Sequence, residues 1–148
     1  MMPNRGYDMT PTMYSPDGRI YQVEYALETV KRGTLAIGIM TKDGIILAVE
    51  EKTRPLQVDG ITQKIFQVDD HIGVAAAGYI PDARVEVDNA RYFSQSNKLT
   101  YDEPVDIETV AKHLADQNHQ FTQYSGVRPF GVASVSYTHL TLPTKRIV

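Results

Sequence analysis

Residues 14–26 read YSPDGRIYQVEYA, and this stretch contains a turn followed directly by the start of a helix. The run 15–18, SPDG, predicts a reverse turn, because proline fixes φ at a value that turns use and glycine tolerates a left-handed one. Four apolar residues follow at helical spacing and form one stripe: Ile20, Val23, Leu27 and Val30. Gly33 stands where a glycine commonly follows a helix, so the helix is expected to end just before it.

The rest of the chain changes between strand and helix patterns. Alternating or continuous apolar runs predict strands at residues 35–40, 45–49, 64–68, 72–77 and 130–133. The first two strands flank Asp43-Gly44, a turn sequence that is typical of a β-hairpin. Two helices are expected to begin near Pro81 and Asp106. Sheets packed against helices, an α+β fold, follow from this order of elements.

The composition predicts one soluble domain. The chain has 148 residues, of which 42% are hydrophobic and 22% are charged, and its net charge is −3. A weakly acidic chain without a basic block lacks the electrostatic character of a nucleic-acid-binding protein. The longest apolar run, residues 72–80, is too short to span a bilayer, and the polar N-terminus contains no secretory signal. We therefore expect a cytoplasmic protein with neither nucleic-acid nor membrane partners.

The sequence predicts neither a metal site nor a cofactor site. It contains no cysteine, which excludes thiolate metal ligands, and it lacks the glycine-rich loops that bind phosphates or dinucleotides. His113 and His119 are spaced so that they face different sides of a helix, and both are expected to be surface residues. His71, beside Asp69 and Asp70, is expected to belong to a solvated turn.

One set of residues has the composition of a hydrolase site. Thr34 precedes the first predicted strand, Glu50 ends the second, and Lys64 opens the third. If these strand ends converge, they bring together a hydroxyl, a carboxylate and an ammonium. An N-terminal threonine hydrolase needs this set, because the hydroxyl attacks while a freed α-amine acts as the base. The alternative is a threonine that begins a strand beside two exposed charges, and the spacing alone leaves both interpretations open.

Several stretches together resemble the α subunits of the proteasome. The most specific is the run 14–26 quoted above, and the others are Tyr7-Asp8, Gly33-Thr34 through Ile39, Lys64-Ile65, Gly78, Asp82-Ala83-Arg84 and the RPFGV run at 128–132. The resemblance covers residues 7–133 and is nearest in style to archaeal members.

The resemblance implies an Ntn-hydrolase αββα sandwich, of which this chain holds the N-terminal half, preceded by an N-terminal arm and helix. It implies a non-catalytic subunit of a threonine-type endopeptidase complex, placed in the seven-membered outer ring of the core particle. The expected partners are other α subunits, β subunits, the C-terminal tails of an ATPase activator and unfolded protein substrates. No cofactor is implied, and the expected roles are ring scaffold, entrance gate and activator docking.

The resemblance also implies an origin for the set formed by Thr34, Glu50 and Lys64. In active β subunits the matching positions hold a catalytic threonine, its lysine and an acidic partner. Here the arm and helix stay attached ahead of Thr34, so its nitrogen is an amide nitrogen that cannot serve as the base. Thr34 is therefore expected to be a structural relic, and the alternative is a self-processing β-like threonine peptidase that uses Thr34.

Two functional sites carry over on the matched positions. The gate is expected to use four residues of the arm and the first helix: Tyr7, Asp8, Pro16 and Tyr25. The second site is a pocket between neighbouring α subunits, where Lys64 would receive the C-terminal carboxylate of an activator tail. Four more residues are expected to form this pocket: Gly33, Gly78, Ile20 and Glu24.

The chain departs from the family pattern after Ala133. Residues 134–148 read SVSYTHLTLPTKRIV and are expected to be a non-native tail, although their composition would still allow a strand. The expected division is a gate arm over 1–18, an incomplete α-type domain over 19–133, and this tail. Because a C-terminally truncated sheet exposes unpaired edges and favours aggregation, we do not expect this 148-residue form to assemble into a working ring, whatever a full-length parent does.

Overall fold

The structure, a computed structural model, describes residues 6–52, 55–56 and 63–138 of the chain. Within these ranges the elements are α1 (Tyr21–Lys31), β1 (Ala36–Met40), β2 (Ile45–Val49), β3 (Ile65–Asp69), β4 (Ile72–Gly78), α2 (Ile80–Tyr101), α3 (Ile107–Gln120) and β5 (Val132–Thr138). The predicted order of helices and strands is confirmed, and so is the α+β class.

The predicted turn ahead of α1 is present. The Gly18 N–H donates to the Ser15 carbonyl oxygen at 2.9 Å, and Gly18 has a φ of +75°. Arg32 caps the C-terminus of α1, so Gly33 directly follows the helix as predicted. The apolar stripe of α1 is less covered than its spacing indicated, since no α1 residue is buried and Leu27 is 56% exposed. The helix packs only along one side, against β4 and β5.

Two antiparallel sheets pack face to face. β1 and β2 form the predicted hairpin, and β3, β4 and β5 form a second sheet with β4 in the middle. The two sheets approach closely where Leu47 lies against Gly73 and where Tyr137 lies over Gly38. On the other face of the β1–β2 hairpin three isoleucines are exposed: Ile37, Ile39 and Ile46.

The main core lies between the three-stranded sheet and the two long helices. Its members are Phe66, Val68, Ile72, Val74, Ala76, Ala83, Val87, Ala90, Val105 and Val110. Asp106 begins α3 by accepting a hydrogen bond from the Glu108 N–H at 3.1 Å, which is a standard N-cap. The described residues therefore form three layers, helices on sheet on sheet, and correspond to one side and the centre of the expected αββα sandwich.

The last strand differs from its predicted span. β5 begins at Val132 and continues to Thr138, paired with β4 along its whole length. Phe130 lies outside the strand, because its ring packs edge-on against Phe121 at 4.8 Å between centroids. Residues 134–138 thus supply most of β5, and residues 139–148 of the predicted tail lie outside the described residues. The predicted domain boundary at Ala133 stays a prediction.

The histidines also correct the sequence analysis. His71 is not part of a solvated turn, because its Nε2 donates to the Val105 carbonyl oxygen at 2.7 Å and its side chain is mostly buried. That hydrogen bond ties the β3–β4 turn to the segment ahead of α3. His119 is exposed as expected, whereas His113 is partly covered and stacks on Phe93 at 4.1 Å.

An ion pair holds the start of α2 against the segment that leads into β5. Asp82 accepts hydrogen bonds from Nη1 and Nη2 of Arg128, each at 2.7 Å, and from the Gly131 N–H at 2.9 Å. Burial alone would raise the pKa of Asp82, but these hydrogen bonds and the guanidinium charge outweigh burial and lower that pKa below 3.8. The carboxylate therefore stabilises the fold above about pH 4, and this contribution is lost as the pH falls through the lowered pKa.

Two glycines let three segments meet at one point. A Cβ on Gly78 would lie 2.5 Å from the Gly131 carbonyl oxygen, and Gly78 has a φ of +114°, which side chains rarely adopt. A Cβ on Gly33 would collide with the backbone of Gly78. The end of α1, the end of β4 and the start of β5 can approach this closely only because both positions lack a side chain.

We predict that Gly78→Ala lowers the free energy of unfolding by about 3 kcal/mol, combining left-handed strain with a backbone collision. Gly126→Ala is the matched control, because Gly126 also has a positive φ, +89°, but nothing lies within 4 Å of its Cβ position. In the Gly126→Ala control the free energy of unfolding should fall by only about 1 kcal/mol. Urea unfolding of both variants checks this, and equal losses would show that close packing at Gly78 is unimportant.

Candidate functional site

Thr34 lies just ahead of β1, beside Glu50, which follows β2, and Lys64, which precedes β3. The Lys64 ammonium donates to the Thr34 hydroxyl, to the Glu50 carbonyl oxygen at 2.9 Å and to the Thr34 carbonyl oxygen at 3.4 Å. The Thr34 hydroxyl in turn donates to the Glu50 carbonyl oxygen at 2.6 Å. The predicted convergence of hydroxyl and ammonium is present in this geometry.

Glu50 takes part through its backbone rather than through the expected carboxylate. Its side-chain Oε2 lies 3.5 Å from the Leu35 N–H, and its Oε1 lies 3.9 Å from the ammonium of Lys52. The carboxylate therefore sits at the rim of the site, about half exposed. From there it influences Lys64 through its charge, without a hydrogen bond between the two side chains among the described contacts.

Lys64 is a buried lysine with a reduced proton affinity. Its side chain is covered, with only 4% of the residue exposed. Burial lowers the pKa of Lys64 because the charged form is poorly solvated, and the nearby carboxylates of Glu50 and Glu51 offset only part of this effect. Such a lysine is suited to polarise a hydroxyl or to hold an anion that enters its surroundings.

The nitrogen of Thr34 is covalently held in the chain. Gly33 links it to α1, and the Gly33 N–H donates to the Val30 carbonyl oxygen at 2.9 Å. An amide nitrogen has no free lone pair to accept a proton, so the hydroxyl has a lysine beside it but no amine base of its own. In this form the arrangement orients Thr34 and lacks one component of a threonine hydrolase.

The N-terminal arm is attached to α1 by polar contacts of Asp8. The Tyr25 hydroxyl donates to Asp8 Oδ2 at 3.3 Å, and the Gln22 side-chain amide donates to the Asp8 carbonyl oxygen. Two predicted gate residues, Asp8 and Tyr25, are therefore brought together, and Pro16 lies in the turn that separates them in sequence. Gln22 was not predicted, since an amide one turn from Tyr25 gives no sequence signal of its own.

The five predicted activator-binding residues fall into two groups. Lys64, Gly33 and Gly78 are close together around the end of α1. Ile20 and Glu24 lie at the other end of that helix, where Ile20 is the N-cap residue. Glu24 forms an ion pair with Arg19 through two hydrogen bonds, and these lower the pKa of its carboxyl.

A cavity of about 310 Å³ lies between α1 and the segment ahead of β5. Gln22 and Tyr25 line one side, and Tyr79 and Arg128 line the other. The Arg128 guanidinium lies 5.5 Å from the centre of the Tyr79 ring while it binds Asp82. Sequence reasoning missed this cavity, because it depends on how α1 is placed beside the sheet.

Two further observations concern the described part of the chain. No group of three or more histidine, aspartate or glutamate residues there is arranged to hold a metal ion. None of its helices combines the length and the apolar character that crossing a bilayer requires.

Two family models together match nearly the whole described part of the chain. A family model for proteasome subunits matches residues 30–139, and a second model, for the N-terminal signature of the A-type proteasome subunits, matches residues 7–28. The second match contains the predicted gate residues and the turn ahead of α1. The first match contains the Thr34 and Lys64 positions and continues through β5.

Individual relatives agree with the family match. The chain is 50% identical over 135 residues to the proteasome alpha subunit of Methanosarcina barkeri, covering 90% of this chain and 54% of the relative. It is 52% identical over 132 residues to that of Natronomonas pharaonis, covering 88% and 52%. It is 50% identical over 134 residues to that of Archaeoglobus fulgidus, covering 89% and 54%. The chain thus spans about half the length of the curated relatives it matches. It belongs to the proteasome subunit family and is similar to the archaeal α subunits of that family.

Proposed function

We propose that this chain represents a non-catalytic α-ring subunit of a cytoplasmic proteasome core particle. Its roles would be to form the seven-membered ring with other α subunits, to contact the β subunits, and to control the entrance of unfolded protein substrates. A third role would be to dock the C-terminal tails of an ATPase activator. The observation that carries this proposal is the attached N-terminal segment, because the turn and α1 lie directly ahead of Thr34 and Asp8 is hydrogen-bonded to α1.

The contact between Lys64 and Thr34 favours one alternative, a self-processing threonine peptidase. That activity requires cleavage between Gly33 and Thr34, which would free an amine to act as the base. The bond lies directly after α1, and the backbone of Gly33 is hydrogen-bonded to Val30 and packed against Gly78. Cleavage would have to disrupt this packing, so we expect the bond to stay intact.

Intact-mass spectrometry of the purified chain separates the two functions. We predict a mass that includes residues 1–33, and no hydrolysis of small fluorogenic peptides by the chain alone. Thr34→Ala is the control, since it removes the nucleophile and should leave the mass spectrum without new fragments. A product that begins at Thr34, absent from the Thr34→Ala variant, would contradict the proposal.

The gate proposal rests on how weakly the arm is held. A phenol–carboxylate hydrogen bond of 3.3 Å between exposed groups contributes at most about 1 kcal/mol. An arm that is attached by bonds of this strength can exchange between two arrangements of similar energy, as a gate requires. Pro16 and the positive φ of Gly18 fix the direction in which the arm leaves α1.

In a particle assembled from a full-length subunit that contains this sequence, we predict that Tyr25→Phe changes the rate of peptide entrance about two- to fivefold, since it removes the hydroxyl that binds Asp8. Tyr21→Phe, one turn earlier on the same helix, is the matched control for loss of a phenol. Hydrolysis of a short peptide by particles that contain each variant measures the effect. Equal rates for the Tyr25→Phe, Tyr21→Phe and unmodified particles would remove Tyr25 from the gate.

The activator proposal assigns Lys64 to the carboxylate of an incoming tail. In the chain itself its three hydrogen bonds go to the Thr34 hydroxyl and to the carbonyl oxygens of Thr34 and Glu50. A carboxylate is a stronger acceptor than a carbonyl or a hydroxyl, so it can replace one of these partners. Because Gly33 and Gly78 have no side chains, neither position obstructs the approach of the tail to Lys64.

In particles assembled from a full-length subunit that contains this sequence, we predict that Lys64→Ala leaves ring assembly intact and reduces ATPase-stimulated degradation by roughly thirtyfold, because a charged hydrogen bond of about 2 kcal/mol is lost. Lys52→Ala is the control, since Lys52 also lies near Glu50 but is exposed. Native mass spectrometry reports assembly, and degradation is measured with and without activator. Unchanged stimulation in Lys64→Ala particles would exclude Lys64 from tail binding.

A further inference from the structure

A buried carboxyl group lies where α2, α3 and β5 meet. Glu86 of α2 is only 3% exposed. The Asn118 side-chain amide of α3 donates to Glu86 Oε1 at 3.1 Å, and the Ser134 hydroxyl of β5 lies 3.3 Å from Glu86 Oε2. One carboxyl thus joins three elements that pack around the core. The sequence analysis gave this position no role, because a single glutamate within a helix predicts an exposed side chain.

Asn118 carries a buried oxygen without a donor. Its Oδ1 is inaccessible to solvent and has no hydrogen-bond partner among the described residues. A buried acceptor without a donor destabilises the folded state, so such atoms are uncommon in folded proteins. An ionised carboxylate cannot supply the missing hydrogen, since it is an acceptor only, whereas a protonated carboxyl can.

Reversing the amide does not remove this requirement. If the Asn118 oxygen pointed at Glu86 Oε1, two acceptors would face one another, and a hydrogen between them would again be needed. With the amide reversed, therefore, a proton on Glu86 supplies the hydrogen bond to the Asn118 oxygen that a carboxylate cannot make.

The electrostatic surroundings act in the same direction. Asp82, one turn earlier on α2, is held as a carboxylate by Arg128, and its negative charge disfavours a second one nearby. The contacts from α3 and β5 come from Asn118 and Ser134, neither of which titrates. Burial, followed by the charge of Asp82, raises the pKa of Glu86, although the hydrogen bonds from Asn118 and Ser134 oppose this.

We propose that Glu86 holds a proton in the folded chain, and that this proton, shared with Asn118, locks α3 onto α2 and β5. The lock is pH-sensitive. Glu86 has a higher pKa folded than unfolded, so its stabilisation is complete below the ordinary value of 4.5 and is lost as the pH rises through the folded pKa. Above that pH the charged carboxylate stays buried with one partner oxygen still lacking a donor.

The test compares the pH dependence of unfolding in the unmodified chain and in Glu86→Gln. Glutamine cannot ionise, and its amide can donate to the Asn118 oxygen as the protonated acid does. Above pH 4.5, we expect the ratio of the unfolding constants, unmodified chain over Glu86→Gln, to rise by up to about tenfold per pH unit. The ratio should become constant above the folded pKa. Parallel pH profiles would overturn the proposal.

Asp116→Asn provides the matched control, because it removes one negative charge from an exposed position of α3. Its pH profile should follow that of the unmodified chain. A direct measurement covers the case in which Glu86→Gln does not fold: carbon NMR of glutamate-labelled unmodified chain should contain one carboxyl that titrates above 4.5. If every glutamate carboxyl titrates at or below that value, Glu86 holds no proton and the proposal fails.

Discussion

The approach of Gly33 to Gly78 is the constraint on which the rest of the structure depends. Both positions lack a Cβ, so the end of α1 can lie directly against the end of β4, where Gly78 also contacts Gly131. This contact places Thr34 at the start of β1 and within reach of Lys64. It also positions α1 against β4 and β5. The candidate site and the candidate gate therefore lie at opposite ends of α1. The backbone contact between Gly33 and Gly78 holds that helix in place.

Two carboxyl groups on α2 respond to pH in opposite directions, although they lie one turn apart. Asp82 lies in the first turn of the helix, where Arg128 and a backbone N–H hold it ionised. Glu86 faces the interior, where its described contacts are an amide and a hydroxyl rather than a cation. The negative charge of Asp82 disfavours ionisation of Glu86 and so favours the neutral form of that carboxyl.

The order of elements was predictable because each begins or ends at a residue with a local physical role. Gly18, Asp106 and the Asp43-Gly44 turn mark boundaries by their own backbone preferences. The end of β5 was not predicted, although apolar and polar residues alternate over 134–138, because the chain departs from the family pattern after Ala133. The Thr34 and Lys64 contact was predictable from strand ends. The hydrogen bonds of Asn118 and Ser134 to Glu86 were not predictable, because Glu86 becomes buried only when α3 and β5 pack against α2.

The Thr34 site shows that geometry and reactivity can be separated by one covalent bond. The lysine is buried, its proton affinity is lowered, and it contacts the hydroxyl, as a nucleophile requires. What Thr34 lacks is a free α-amine, and no movement of side chains can supply one while α1 remains attached. The same three groups then have a structural role, because Lys64 joins the start of β1 to the end of β2 through the carbonyl oxygens of Thr34 and Glu50. A site of this kind can keep its geometry without catalysis, since the lysine contacts that would orient a nucleophile also join the start of β1 to the end of β2.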